Sequence, residues 1–259
     1  SGHQKNYDTN IYEAQINNDF NFNSYDFISD LGLVTDYSLL LKNFNTYGKN
    51  STTYDEKNDH EIFGTTLIKS EFPLKKKLDN STNYLKPIIQ ARFSPTSGKD
   101  ISSEGFLMDY GAIFSSNRIG RSDMVEKGKS LTLGIEFEKQ DLSNDKILGL
   151  NVGNVIKDKK NKTLPSKSKL DQTRSDIVGN VFYKFNKNLE ISYDFSYDRD
   201  LDYSNYDSLS AEFGVNNFVT KFDYITENHD FDNSEVISNE TKIDFTSEHS
   251  LLFNTTKDL

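Results

Sequence analysis

The chain holds no cysteine and no tryptophan, and only 4 prolines and 2 methionines among 259 residues. The lack of cysteine excludes disulfide scaffolds, thiolate metal centres and cysteine nucleophiles. Cations are the minority charge: 30 Lys and Arg stand against 40 Asp and Glu, a formal net charge of -10. They form no basic stripe, so the chain is not built to neutralise the phosphates of a nucleic acid. Long apolar runs are also missing. The longest, such as Ser38 to Leu41, fall far short of the roughly 18 to 20 residues that a spanning helix needs. The start, Ser1-Gly2-His3-Gln4, lacks the charged and apolar regions of a signal peptide, and residues 1–3 read as a tag remnant. No G-x-S-x-G, Walker loop or Gly-rich nucleotide fingerprint occurs, and the expectation is a protein that is not an enzyme.

What the chain has is polar residues interleaved with 19 Phe and 14 Tyr, an aromatic content that separates it from disordered chains of similar polarity. The interleaving has a period of two. Ile191, Tyr193, Phe195 and Tyr197 alternate with Glu190, Ser192, Asp194, Ser196 and Asp198, which sends one set to each face of a strand. The same pattern runs through Leu131 to Phe137, Leu209 to Val215, Phe218 to Tyr224 and Ile237 to Phe245. Strands are expected near 10–20, 31–44, 60–72, 84–94, 105–115, 129–140, 146–156, 176–186, 189–199, 206–216, 217–228, 235–246 and 248–257.

Two kinds of junction join these runs. Asn186-Lys187-Asn188, Asn216-Asn217 and Leu142 to Asp145 suit tight turns, because Asn and Asp tolerate left-handed backbone. Asn45 to Asp59, Ser94 to Lys129 and Lys157 to Arg174 are long and polar. Long strands, charged polar faces and alternating short and long connections predict an antiparallel up-and-down transmembrane β-barrel, here a partial one of about a dozen strands and a single segment over 1–259. A porin-like barrel, or a soluble β-rich carbohydrate-binding protein whose apolar faces meet inside, shares the alternation and stays open as an alternative.

Segments across 84–259 go beyond period. Phe114 to Asp123, followed by Val125-Glu126-Lys127-Gly128 and Leu131-Thr-Leu-Gly, resembles the loop N-R-x-x-G-x-D-R-[IV]-E-x-G and the strand L-T-x-G of the lipopolysaccharide-assembly proteins, the LptD or organic-solvent-tolerance family. Asn117, Arg118, Asp123, Glu126 and Gly128 align; Gly120 and Arg121 stand one residue early, and Met124 replaces the usual Arg. Leu164 to Gly179, with Pro165, Ser175, Asp176 and Gly179, is similar to a second family loop, and Lys169 stands in place of a Gly. Tyr197 to Leu201 resembles the strand end D-x-D-L through Asp200 and Leu201, and Tyr84 to Pro95 resembles a further strand.

The resemblance implies an internal part of a large outer-membrane barrel of a Gram-negative bacterium that inserts lipopolysaccharide into the outer leaflet. It implies lipopolysaccharide, a plug lipoprotein (LptE-like) and a periplasmic bridge protein (LptA-like) as partners. No cofactor is expected, apart from a divalent cation bridging lipopolysaccharide phosphates. Asp194, Asp198, Asp200 and Asp202 share one face near a strand end and are read either as lumenal, cation-contacting groups or as a solvated acidic rim. Asp19-Phe-Asn21-Phe-Asn23 with Asp30 has part of the EF-hand spacing but Ser24 where Gly is needed, and no metal is assigned there. His3, His60, His229 and His249 have no metal spacing, and Glu136 and Glu138 are spaced like any polar face. Arg118 and Arg121 beside Asp123 and Glu126 predict a loop held by ion pairs, or a phosphate contact.

Overall fold

Alternation of large apolar with polar side chains is satisfied by a pleated backbone with a different solvent on each face. The computed structural model describes residues 2–6, 10–96, 99–228, 233–246 and 248–259. Its strands are β1 (Gly2–Asn6), β2 (Tyr12–Asn23), β3 (Phe27–Ile28), β4 (Val34–Lys49), β5 (Asp59–Glu71), β6 (Leu74–Lys77), β7 (Thr82–Ser94), β8 (Gly128–Gln140), β9 (Lys146–Lys157), β10 (Ile177–Asn186), β11 (Leu189–Tyr197), β12 (Ser204–Val215), β13 (Phe218–Glu227), β14 (Ser234–Asp244) and β15 (Ser250–Asp258). All belong to one 15-stranded sheet in which each long strand pairs antiparallel with the next; β3 and β6 are short additions beside β4 and β7. The sheet is open, with β1 and β15 at its edges. Among the described residues no helix is long and apolar enough to cross a membrane.

Register keeps the alternation in step from strand to strand. Ile68, Ala91, Leu131 and Ile156 stand opposite one another across β5, β7, β8 and β9, and Gln90, Thr132 and Val155 form the neighbouring row on the other face. The first face leaves Ile16, Phe20, Ile62, Ile68, Phe93, Ile135 and Phe222 exposed. No second layer covers it, so the stacked sheets that a soluble β-sandwich needs are absent among the described residues. Aromatic pairs sit towards strand ends on this face, Tyr12 with Tyr47 at 5.9 Å and Phe22 with Tyr37 at 5.8 Å between ring centroids.

The tight turns fall where Asn predicts them, and Asn144 and Asn216 adopt φ of 66° and 53°. They lie at one end of the sheet. The long connections 50–58, 95–127 and 158–176 lie at the other. Two expectations are corrected. Residues 105–115 form no strand: they lie in the long loop, with a 3-10 turn at Ala112–Phe114. Asp109 Oδ1 accepts the Ala112 N–H at 2.6 Å, and the alternating Met108 and Tyr110 are buried in a loop core rather than on a sheet face. A strand also precedes residue 10, because Gly2 to Asn6 pairs with Tyr12 to Ile16.

Candidate functional site

The apolar core lies on the polar side of the sheet, under the long loops. Glycines make room for it. Gly134 of β8 and Gly153 of β9 stand directly opposite each other and leave a hollow in the wall. A Cβ at Gly134 would come within 2.5 Å of Phe114 Cζ, and one at Gly153 within 2.5 Å of Ile113 Cδ1. The 3-10 turn of the 95–127 loop thus plugs this hollow. Ile101, Met108, Tyr110, Ile113, Ile119 and Met124 from that loop form one cluster with Leu164 and Leu170 of the 158–176 loop and Val155 and Val178 of the wall. Val125 instead joins Leu40, Phe44 and Phe63 of β4 and β5. The Tyr110 hydroxyl donates to Glu136 Oε1 at 3.1 Å.

Beside this apolar cluster, nearer the long-loop end of the strands, is an ionic one. Arg118 Nη1 donates to Glu126 Oε2 at 2.9 Å, and Lys157 Nζ lies 2.6 Å from Glu126 Oε1. All three side chains are almost fully buried. Arg118 Nη2 also donates to Thr132 at 3.3 Å and Ser130 at 3.4 Å, and Lys157 Nζ donates to the Leu170 carbonyl. Arg92 Nη2 donates to Thr65 Oγ1 at 3.3 Å and to the Ser116 carbonyl at 3.5 Å. Burial pushes the Glu126 carboxyl up, but the charges of Arg118, Lys157 and Arg92 outweigh it and hold the group at about 2. A carboxylate shared by cations from loop and wall pins the loop to the sheet.

At the outer rim Arg121 grips Asp123 with two bonds of 2.8 Å and reaches Glu104 at 2.5 Å. The bond from Arg121, opposed by partial burial, keeps the Asp123 carboxyl below its ordinary range. Asn117 Nδ2 donates to the Arg121 carbonyl at 2.7 Å, and Gly120 takes φ of 73° in the turn between them. Gly128, with φ of 115°, returns the chain to β8.

The second motif builds another buried joint. Ser175 Oγ accepts the Val155 N–H at 2.9 Å and donates to the Asp176 carbonyl at 2.7 Å. Asp176 Oδ2 accepts from Ser196 Oγ at 3.1 Å and Asn205 Nδ2 at 2.6 Å. Burial pushes the Asp176 carboxyl above its ordinary value, although these two bonds pull it down. Pro165 is buried beside Leu164, and Gly179 faces outward beneath the Phe195 ring.

The acids do not gather. Asp198 Oδ1 accepts the Asp202 N–H at 2.8 Å, which shapes a turn, and Asp200 is exposed beside Arg199 at 3.2 Å. Asp194 lies inside β11, and Leu201 is exposed in that turn with φ of 60°. The described residues include no group of three or more His, Cys, Asp or Glu side chains placed to hold a metal. Asp19 sits in β2 and pairs with Lys42 at 2.8 Å, so the EF-hand spacing falls on a strand. His3, His60 and His249 lie in or beside different strands, and His229 lies outside the described residues.

Arg92, from the Tyr84 to Pro95 segment, completes the site with Lys157, Ser196, Asn205 and the Gly134 and Gly153 pair, which carry no spacing signal of their own. A family model described as LptD, LPS transport system D, matches residues 4–254. It therefore reaches well beyond the motifs in 84–259, into the strands that precede them. No curated protein matches the chain.

Proposed function

We propose a mechanism from the premise that this chain belongs to the LptD family, which serves lipopolysaccharide transport and assembly at the outer membrane of Gram-negative bacteria. The observation that carries the mechanism is the two-faced single sheet: an exposed apolar face, and a charged face partly covered by its own loops. The apolar face meets hydrocarbon and the charged face lines a hydrated lumen. The sugar head group crosses along the wet wall while the acyl chains pass into the bilayer. No bond is made or broken, so no catalytic residue is nominated.

The plug formed by 95–127 and 158–176 closes the long-loop end, which this reading places outside the cell. A fixed plug there keeps small solutes out while leaving the remaining wall free for transit. A polar cavity of about 510 Å³ opens beside it, lined by Lys160, Lys169, Arg174 and Arg199 together with Asp171, Asp198 and Asp200. Its cations suit phosphorylated sugars, and any divalent ion enters with the substrate, bridging its phosphates. A plug lipoprotein (LptE-like) and a periplasmic bridge protein (LptA-like) are the partners this reading adopts from the family.

Depletion of the intact protein in its native host tests the proposal. Surface lipopolysaccharide is expected to fall and to accumulate inside the cell; ordinary surface levels after depletion overturn it.

A further inference from the structure

The outward face is not evenly oily. Where β5, β7, β8 and β9 meet below the long-loop end, an apolar groove of about 520 Å³ is lined by Ile68, Ala91, Phe93, Lys129, Leu131 and Ile156. Register explains it. The methyl of Ala91 stands between Ile68 and Leu131 across the strands and between Ile89 and Phe93 along its own, so the floor drops where neighbours are large. One end of the groove is charged. Lys129 is exposed there with its Nζ 5.9 Å from the Phe93 ring centroid. The exposed Lys127 lies just before β8 and the exposed Lys159 just after β9 at the same end, against one acid of the lining, the exposed Asp158.

We propose that this groove binds one acyl chain of a phosphorylated glycolipid of the outer leaflet, with its phosphate held by Lys129. The inference rests on the transport reading for its orientation, since that reading puts the apolar face in hydrocarbon and the lysine end at the outer surface. Charge selects the occupant. The groove itself accepts any acyl chain, but at its outer end Lys127, Lys129 and Lys159 outnumber Asp158, and that cationic balance favours a phosphate carried at the depth of the head groups. The site lies on the side of the wall opposite the plug and is separate from the lumenal route.

Native mass spectrometry of the full protein in mild detergent, with its partner chain where one co-purifies, tests this. The probes are bisphosphorylated lipid A, the same lipid with its phosphates removed, and a zwitterionic phospholipid. One molecule of bisphosphorylated lipid A is expected to be retained about fivefold more than its dephosphorylated form, the effect of one lysine near a membrane surface. Ala91→Phe fills the groove and is expected to lower retention about tenfold, because excluding even a couple of methylenes has that effect. Lys129→Glu is expected to weaken the phosphorylated lipid alone. Heat-modifiable migration in gels confirms that each variant is folded.

Unchanged retention in Ala91→Phe, an equal loss of both lipid A forms in Lys129→Glu, or equal retention of the zwitterionic lipid overturns the proposal. Should Ala91→Phe fail to fold, the Lys129→Glu comparison decides alone. Failure of the transport reading is seen separately, as ordinary surface lipopolysaccharide after depletion. Lost retention in the groove variants with surface lipopolysaccharide preserved supports the groove and leaves transport standing.

Discussion

Arg118 and Glu126 belong to one loop, yet their 2.9 Å ion pair is closed to water by the strands that the loop covers. Lys157 of β9 holds the other carboxylate oxygen, so the pair is also the bond between loop and wall. Removing the charge of Glu126 leaves Arg118, Lys157 and Arg92 buried with no anion among them. Glu126→Gln is therefore expected to cost about 3–5 kcal/mol of loop docking. Limited proteolysis should show new cleavage within 95–127 while the sheet keeps its circular dichroism; an uncleaved loop refutes the assignment.

The same carboxylate gives docking a pH dependence of known sign. Its folded value of about 2 lies below the ordinary 4.5, so the docked loop prefers the ionised form. The stabilisation is complete above 4.5 and is lost as pH falls from there through about 2. Asp123, also held low by Arg121, adds in the same direction. Hydrogen exchange of the loop should accelerate through that window, and in Glu126→Gln most of the acceleration should vanish.

Plugging by Phe114 depends on a missing side chain. Gly134→Val puts a methine where Phe114 Cζ lies 2.5 Å away and the Tyr110 hydroxyl 3.3 Å away. The ring has to leave the hollow, at about 1–3 kcal/mol for an overpacked site. The outward face and the β8 ladder are untouched, so strand content should persist while the loop becomes protease-sensitive. Loss of the whole sheet contradicts this account.

Most of the sheet was legible because its two faces meet different surroundings, which writes a period of two into every long strand. The turns at Asn186 to Asn188 and Asn216-Asn217 were legible for a local reason, the tolerance of Asn for compact turns. The plug was half legible. Arg118, Asp123 and Glu126 stand out by resemblance, as does Arg92 in its own strand, but Lys157 and Arg92 come beside Glu126 only through the sheet. The run Phe106, Met108, Tyr110 alternates as a strand does. Its partners are other loop residues and the hollow at Gly134, which no local pattern announces, so it was misread as a strand.

Leu201 adopts φ of 60° and is exposed, so its side chain strains the turn without filling a core. Leu201→Gly removes that strain and adds back some chain entropy to the unfolded state. A net gain of about 0.5–1 kcal/mol is expected, measured as a higher urea midpoint. A loss shows that the leucine makes contacts worth more than its backbone costs.

Asp176 carries the opposite linkage from Glu126. Its Oδ2 takes bonds from Ser196 and Asn205, its Oδ1 is buried without a hydrogen-bond partner, and burial raises the carboxyl above its ordinary 3.8. The folded state therefore holds this proton more tightly than the unfolded one. That advantage is complete below 3.8 and is lost as pH rises through the raised value, leaving a buried charge at neutral pH. Asn at this position stays neutral, and its amide oxygen accepts the same two donors. The urea midpoint of Asp176→Asn should gain on that of the native protein steadily from acid to neutral pH. Asn205→Ala should do the reverse, costing about 1.5–3 kcal/mol at neutral pH, where it strips a bond from the charged form. A difference between Asp176→Asn and native protein that does not change with pH rules out a buried, proton-retaining Asp176.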